Sequence, residues 1–526
     1  MLAVALAAVG SALSALVVAP APSYDPWAWL LWGREIAGGE LSTAEGPAFK
    51  PLPVAVTTLL SVLGGAAPAA WVLVARVGAI LALWLAFRLG RRLAADVVAG
   101  ADEAEGRAMA TGGWRLAAGV GGGAGEADGR AMTVVGGWPV AAGVLAAAGV
   151  ALSGAYLSYA ATGIVTGWLL ALALAGVEAW RAGRRRLALA CGVGCALLQV
   201  ESWPFLLAFG LVLWRRRAQD RVLLAAAALA VPALWFVPEL LGSGDLLRSA
   251  ERAQIPNPGQ PALAEVPAVA SVHEAAVLVA WPLWAGVAAL AVVAGIAARH
   301  RRGVAPAAGT LDARVDRAAT SALVPALAGL AWIAIVAAMA QLGGFSGEPR
   351  YALPGAALVA ISGAVGLAAA GRRLAPAPED LERFAGTGRQ RTYDRLRRAG
   401  AAAVLGAAVL AVLAAPRIDD VRAIRASQAH DWRAADALAD AVRAAGGREA
   451  VLACGQPYVG SLRGPLMAYR LGVAKHVVEP DLAPRAPGVV FQTVGAEPQP
   501  PASPAFAEVA RNSHWRVLRS CRVRMP

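Results

Sequence analysis

The chain has 526 residues, of which 58% are hydrophobic and only 16% are charged, and its formal net charge is +13. Soluble domains contain nearer a quarter charged residues, so this composition excludes an ordinary soluble protein and indicates a polytopic membrane protein. The positive charge does not indicate nucleic-acid binding. Most arginines lie in clusters between apolar segments, which is the distribution that the positive-inside rule predicts for membrane proteins.

Apolar segments recur along most of the chain and predict about eleven transmembrane helices. The predicted crossings are 2–19, 69–90, 137–156, 161–179, 187–200, 203–214, 221–241, 276–298, 320–341, 351–371 and 399–415. Arginine clusters fall in alternate loops, the first of them at Arg88, Arg91 and Arg92. This alternation predicts a multi-pass protein of the plasma membrane, with its N-terminus in the cytoplasm and its C-terminal region outside.

One pair of predicted crossings is unusually short. The segment from 187 to 214 has arginines at both ends but is only 28 residues long, whereas two full crossings need roughly 40 residues. The sequence therefore predicts two short helices that turn near Glu201-Ser202-Trp203-Pro204, shielded from lipid by neighbouring helices.

An internal duplication occupies part of a predicted cytoplasmic loop. Residues 101–120 are similar to residues 125–144, and three consecutive glycines at 121–123 lie between the copies. This composition predicts a mobile loop, to which we assign no catalytic role.

The character of the chain changes after residue 415. We predict a membrane domain over 1–415 and a small extracytoplasmic α/β domain over 416–526, with helices at 417–446 and 462–471 and strands at 450–453, 488–491 and 514–521. Cys454 ends the first predicted strand and Cys521 ends the last. An oxidising exterior would allow them to form a disulfide, and two free thiols are the alternative.

Ionisable residues on the predicted outer side gather at one level. Ionisable groups at membrane depth are costly and usually functional, so we expect them to share a cavity near the outer leaflet. Candidates are Asp25, Glu35, Lys50, Glu201, Arg248, His273, Arg350 and Tyr351.

Several candidates also have structural explanations. Asp25-Pro26 fits a helix N-cap followed by proline, opening a helix that ends at Gly38-Gly39, with Trp27, Trp29 and Trp32 anchored in the headgroup region. Lys50 fits an interfacial lysine, although only Lys50 and Lys475 are lysines among 48 basic residues. Glu201 fits a purely structural ion pair with an arginine inside the bundle.

Nucleotide-binding and metalloprotease motifs are absent from the sequence. There is no Walker loop, dinucleotide fingerprint, HExxH or paired CxxC, and His273 alone is weak evidence for a metal. Because the outer face lacks ATP, a transferase there needs a donor that is already activated, and a lipid-linked phosphosugar meets that need.

Residues 1–415 resemble the GT-C superfamily of membrane glycosyltransferases, which use polyprenyl-phosphate sugars. Its members include lipid A aminoarabinose transferases, protein O-mannosyltransferases and the actinobacterial cell-wall arabinosyl and mannosyl transferases. Four features carry the resemblance: the acidic first outer loop with Asp25, the step Phe49-Lys50-Pro51-Leu52, the short hairpin near Glu201, and Arg350-Tyr351-Ala352-Leu353-Pro354.

The resemblance implies an inverting transfer of a hexosyl or pentosyl group from a polyprenyl-phosphate donor to an envelope glycan, lipid or protein, within membrane lipids. Asp25 would be the general base, with Glu35 as its substitute, while Lys50, Arg350 and Tyr351 would bind the lipid phosphate. Members that use a divalent metal place an acidic residue before the lysine; Phe49 stands there in this chain, which argues against a metal, and no other cofactor is expected.

Two other classes remain open at this point. One is a transporter or flippase of lipid-linked precursors, for which inverted repeats and broken helices near the bilayer midplane would be expected. The sequence shows neither, and its polar residues lie toward one face. The other is a non-catalytic envelope protein that uses the C-terminal domain for binding.

Overall fold

A computed structural model describes residues 1–112, 137–303, 311–374, 388–460, 462–478, 483–494 and 504–521. The described chain is mostly helical, with one small sheet near its C-terminus. In the first half the helices are α1 (Leu2–Ser14), α2 (Tyr24–Gly38), α3 (Pro51–Leu60), α4 (Ala67–Gly112), α5 (Gly137–Ala151), α6 (Tyr156–Ala161), α7 (Thr166–Arg181), α8 (Arg185–Ala196), α9 (Trp203–Arg216) and α10 (Arg221–Ser243).

The remaining helices continue the bundle and then enter the C-terminal region. They are α11 (Arg248–Ala253), α12 (Pro267–Val277), α13 (Trp281–Gly303), α14 (Leu311–Gly343), α15 (Pro349–Leu374), α16 (Gly388–Ala414), α17 (Ile418–Ala444), α18 (Gly447–Cys454) and α19 (Gly464–Leu471). Among them α15 is the central helix of the bundle, because nearly all of its side chains from Ala352 to Ala369 are buried.

Each predicted crossing contains a helix, but the count of eleven spans is not confirmed. Within the described residues, five helices are long and apolar enough to cross a membrane, or six if the bent pair α12 and α13 forms one span. The five are Pro51–Val98, Ala218–Ser243, Ala318–Gly343, Pro349–Leu374 and Gly400–Ala444. The shortfall has a simple cause: α1, α5, α7, α8 and α9 have only 12 to 16 residues, whereas a crossing needs about 20.

The short hairpin is confirmed, but its predicted shielding by neighbouring helices is wrong for α9, in which Leu207 is 64% and Leu211 is 49% exposed. Helix α8 ends at Ala196, a 3-10 turn covers Val200–Ser202, and α9 begins at Trp203 with Pro204 in its first turn, where proline is favoured. The predicted loop at the duplication is partly wrong, because α4 continues through residues 101–112. The rest of that predicted loop, 113–136, lies outside the described residues.

The C-terminal region contains a four-stranded sheet in the order β1-β2-β4-β3. Its strands are β1 (Gln456–Val459), β2 (Gly488–Thr493), β3 (Ala507–Arg511) and β4 (Trp515–Ser520). β1 pairs with β2 in parallel, and the other two pairs are antiparallel. The helix at 462–471 and the strands at 488–491 and 514–521 were predicted within a few residues.

The predicted strand at 450–453 is wrong, because these residues form part of α18. A run of four apolar residues fits one face of a buried helix as well as it fits a strand. Cys454 therefore ends a helix, and it forms a disulfide with Cys521, which follows β4.

One hydrophobic cluster joins the C-terminal region to α2. It contains Trp29 and Trp32 of α2 together with Phe491 and Trp515 of the sheet. Trp27 packs against the ring of Tyr469 in α19, with ring centroids 5.3 Å apart. Helix α2 therefore lies between the bundle and the C-terminal sheet. The prediction that its tryptophans are anchored in the headgroup region is wrong, because all three are buried.

Candidate active site

The first site residue, Asp25, lies in the first turn of α2 and does not cap that helix. The N-cap is Ser23, which makes no side-chain capping bond, and the helix begins at Tyr24, two residues earlier than the capping interpretation of Asp25 required. The predicted end at Gly38-Gly39 is confirmed, with Gly39 in the left-handed conformation. Asp25 Oδ2 instead accepts a hydrogen bond of 2.8 Å from Nη1 of Arg350. Its Oδ1 accepts none from any described residue.

Helix α2 is locked against α3, which carries Lys50 at its start. A Cβ atom at Gly33 would come within 2.6 Å of the backbone of Thr57 and Thr58, so only glycine allows this approach. Thr57 Oγ1 also donates to the carbonyl of Trp29 at 2.6 Å. Lys50 itself is extended, with φ −129° and ψ 113°, as expected for a residue that precedes proline.

The Lys50 ammonium lies between aromatic rings and has no counter-ion among the described residues. Its Nζ is 5.8 Å from the ring centroid of Trp29 and 5.9 Å from that of Tyr351. Within the described residues it forms no hydrogen bond or ion pair. Burial lowers the pKa of Lys50, the charge of Arg350 lowers it further, and the charges of Asp25 and Glu201 oppose the shift. A half-buried ammonium in these surroundings is an available site for an anion.

Arg350 lies beside this lysine at the start of α15, where it is shared between two carboxylates. Besides its bond to Asp25, its Nε lies 2.6 Å from Oε2 of Glu348. Its guanidinium lies 4.9 Å from the ring centroid of Tyr351, so that ring contacts both cations. Arg350 is thus held rigidly, in a geometry that arginine favours for recognising oxyanions.

Asp25, Lys50, Arg350 and Tyr351 surround one site, which we call the pocket. The turn of the hairpin closes one side of it. Leu52 N donates to the carbonyl of Leu197 at 3.3 Å, and Gln199 Nε2 donates to the carbonyl of Tyr351 at 3.5 Å. Glu201 is 6% exposed, and its Oε2 is buried without a hydrogen-bond partner among the described residues. The alternative for Glu201 was an ion pair with an arginine inside the bundle. No described arginine forms such a pair with it.

Arg248 does not face the pocket, in contrast to the prediction. Its guanidinium forms two bonds, of 2.9 and 2.8 Å, to the carboxylate of Glu239, which is fully buried. It also donates to the carbonyls of Gly46 at 3.1 Å and Pro47 at 3.0 Å. Through these bonds Arg248 holds the segment that leads to Lys50.

Two further predicted residues lie outside the pocket. Glu35 is ten residues beyond Asp25 on α2, which corresponds to about 15 Å along the helix axis. Its Oε2 accepts a hydrogen bond of 3.0 Å from Ser42 N, and burial raises its pKa to about 7 against the opposing effects of that bond and of Arg34. His273 is exposed on α12 and forms no hydrogen bond or ion pair with any described residue.

Trp29 and Glu348 belong to the pocket although neither was a predicted site residue. Trp29 is fully buried, and its Nε1 has no hydrogen-bond partner in the described chain. Glu348 forms an ion pair with Arg350 and accepts a hydrogen bond from Gln260 Nε2. The available signal for Glu348 was its place two residues before Arg350, and for Trp29 its place in a helix that is apolar on every side, which indicates burial.

The described residues contain no group of three or more histidine, cysteine, aspartate or glutamate side chains placed to hold a metal ion. The two acids nearest the cations, Asp25 and Glu348, are both engaged by Arg350.

Fold and site together define a helical membrane protein with a pocket in which the cations of Lys50 and Arg350 meet the carboxylates of Asp25, Glu201 and Glu348. No protein-family model matches the chain, and no curated protein matches it. The chain is similar to the crystal structure of ArnT from Cupriavidus metallidurans bound to undecaprenyl phosphate, with 14% identity and a TM-score of 0.48 over 98% of this chain and 97% of that one. At that identity and score, the likeness assigns no function to this protein.

Proposed function

We propose that this protein is an inverting glycosyltransferase that moves a sugar from a polyprenyl-phosphate donor to a cell-envelope acceptor at the outer face of the membrane. The observation that carries the proposal is the Lys50 ammonium, which has no counter-ion in the described chain and lies with Arg350 around the ring of Tyr351. A half-buried cation that has no ion pair among the described residues lacks compensation for its lost hydration, so an anionic ligand is the natural occupant of the pocket.

The position of the two cations favours a phosphate carried by a lipid. Lys50 immediately precedes the apolar span Pro51–Val98, and Arg350 is the second residue of the apolar span Pro349–Leu374. A phosphate bound between them would lie where both membrane helices begin. Its prenyl chain could then extend along their apolar surfaces while the sugar stays at the aqueous end.

Asp25 is suited to act as the general base in such a transfer. Its Oδ2 is held by Arg350, while Oδ1 accepts no hydrogen bond from the described residues and is free for an acceptor hydroxyl. The acceptor oxygen would attack the anomeric carbon as the bond from that carbon to the phosphate oxygen breaks. The hydroxyl proton passes to Asp25, and the bonding electrons leave with the lipid phosphate.

Lys50 and Arg350 would stabilise the charge that develops on the departing phosphate. Each preorganised donor of this kind commonly contributes about 3 kcal/mol to transition-state stabilisation. The Tyr351 ring keeps the two cations apart, and the buried Trp29 excludes water from one side of the pocket. The separation of Glu35 from Asp25 along α2, about 15 Å, supports Asp25 as the base.

Transfer from radiolabelled polyprenyl-phosphate sugars in membranes tests the proposal. Asp25→Asn should lower turnover by about 10² to 10⁴, and Lys50→Met by about 10². Binding of polyprenyl phosphate without a sugar separates the two roles, because Lys50→Met should weaken it far more than Asp25→Asn. Arg252→Met is the matched control, since it also removes a cation near these loops. The only side-chain hydrogen bond of Arg252 among the described residues is to the carbonyl of Ile255. Transfer that survives both site substitutions would refute this function.

A further inference from the structure

A second cationic site lies at the other end of the helices that form the hairpin. Helix α7 ends at Arg181 and α8 begins at Arg185, while α9 ends at Arg216 and α10 begins at Arg221. The far end of α8 leads to Gln199, which contacts Tyr351 in the candidate active site. The α7–α8 and α9–α10 turns therefore lie together, at the opposite end of these helices from the candidate active site.

These two turns enclose an open cavity of about 380 Å³, which we call the arginine cleft. It is lined by four arginines, Arg184, Arg185, Arg186 and Arg217, and by one acid, Asp220. Only Arg186 has a carboxylate partner among the described residues, with its Nε 3.0 Å from Oδ1 of Asp220. The cleft therefore has an excess of three positive charges.

A neighbouring cavity shows that this excess is local. That cavity, of about 290 Å³, is lined by Arg92, Arg181, Asp96 and Glu178. Both of its arginines are paired, Arg92 with Glu178 and Arg181 with Asp96. Opposite charges on the same end of the bundle thus compensate each other in one cavity and not in the other.

The backbone adds to the attraction for an anion. Helix α8 has twelve residues, and its first turn, Arg185 to Leu187, lines the cleft. The first N–H groups of a helix have no acceptor within the helix, and the helix dipole makes this end positive. Three arginines that have no acidic partner among the described residues lie beside this helix end, and such an arrangement binds phosphate groups.

The surroundings of the cleft favour a phosphate that carries acyl chains. Trp180 and Trp214 are 40% and 43% exposed and lie beneath Arg185 and Arg221, at 5.8 and 5.6 Å from the respective ring centroids. Exposed tryptophans of this kind are enriched where membrane meets water. Exposed apolar side chains adjoin them, among them Leu187, Leu211 and Val222.

We infer that the arginine cleft binds the phosphate headgroup of an anionic phospholipid, on the membrane face opposite the candidate active site. Arg184, Arg185 and Arg217 hold the phosphate oxygens, the two tryptophans lie at headgroup depth, and the acyl chains cover the apolar residues beside them. Basic pockets between transmembrane helices are known to recognise anionic headgroups in this way. The site is independent of the proposed transfer reaction.

Native mass spectrometry of the detergent-solubilised full-length chain, titrated with cardiolipin, phosphatidylglycerol or phosphatidylcholine, tests this site. Arg184→Gln combined with Arg217→Gln should weaken binding of the two anionic lipids by about tenfold or more, and leave phosphatidylcholine unchanged. The matched control is Arg92→Gln combined with Arg181→Gln, which removes the same charge from the paired cavity. If that control does not fold, Arg181→Gln alone replaces it, because its partner Asp96 is half exposed.

Three outcomes would overturn the inference. Equal weakening in the cleft and control variants would show diffuse attraction to the whole basic face. Unchanged affinity in the cleft variant would show that the arginines bind no lipid. Displacement of the bound lipid by millimolar inorganic phosphate would show a site for free phosphate instead of a lipid headgroup.

Discussion

The buried pair of Glu239 and Arg248 should be strongly coupled, because it holds the loop that presents Lys50. Glu239 is fully buried, and Arg248 joins its carboxylate to the carbonyls of Gly46 and Pro47. Ser249 Oγ completes the network by accepting a hydrogen bond of 2.7 Å from Phe49 N and donating to Glu239. The positions of Gly46, Pro47, Phe49 and Ser249 therefore depend on one ion pair.

The expected loss in the free energy of unfolding depends on which charges and hydrogen-bonding groups each substitution leaves buried without a partner. Arg248→Met leaves a buried carboxylate whose remaining donor is Ser249, so we expect a loss of about 4 kcal/mol in the free energy of unfolding. Glu239→Gln keeps one acceptor for Arg248 and should cost about 2 kcal/mol. The double variant buries no charge but loses the bonds of Arg248 to Glu239 and to the carbonyls of Gly46 and Pro47, at about 3 kcal/mol. The two single losses then exceed the double loss by about 3 kcal/mol.

Unfolding in mixed detergent micelles, followed by the fluorescence of the 17 tryptophans, measures this cycle. Arg252→Met is the control, because Arg252 lies on the same short helix but bonds only to the carbonyl of Ile255 in the described chain. Additive single effects, within about 0.5 kcal/mol, would refute the coupling. An Arg248→Met variant as stable as Arg252→Met would show that the network does not hold the loop.

Three further changes test other parts of the structure. Gly33→Ala should destabilise the protein by about 1 to 3 kcal/mol, because its methyl group meets the α3 backbone; an unchanged melting temperature would contradict that packing. Replacing Cys454 and Cys521 by serine opens a link between residues 67 apart and should cost about 4 kcal/mol, with reductant lowering the melting temperature of the natural chain but not of the variant. Burial raises the pKa of Glu35 from 4.5 to about 7, so the folded state holds this proton more tightly than the unfolded chain and stability should fall as the pH rises across that window. Glu35→Gln should remove this dependence, and identical pH profiles of the melting temperature would show that Glu35 does not cause it.

The features that the sequence predicted well depend on local pattern and on charge. The hairpin at residues 187–214 was predicted because arginines at both ends left too few residues for two crossings. The convergence of Asp25, Lys50 and Arg350 followed from placing each on the same side of the membrane. Sidedness brings distant residues to one level, and packing of α2, α3 and α15 then brings these three together.

The features that were missed depend on partners distant in the chain. The capping motif at Asp25-Pro26 is a local signal, but Arg350, 325 residues away, engages the carboxylate. Arg248 resembled a ligand-binding cation because its partner, Glu239, lies inside an apolar helix where the sequence alone shows no contact. The apolar run at 450–453 fitted both a strand and a helix, and packing against β1 and β2 decides for the helix.

The two lysines of this chain have opposite environments beside one loop, which ends at Lys50 and which Lys475 contacts from the C-terminal region. Lys475 is 3% exposed and pairs with Glu45, whereas Lys50, five residues after Glu45, has no ion pair in the described chain. Arg248 holds the intervening carbonyls from the other side. The C-terminal region and α10–α11 therefore fix the loop at both flanks and leave one ammonium uncompensated at its end. Two networks thus hold the loop that presents Lys50, a cation without an ion pair among the described residues, and this arrangement supports the proposal that Lys50 binds an anion.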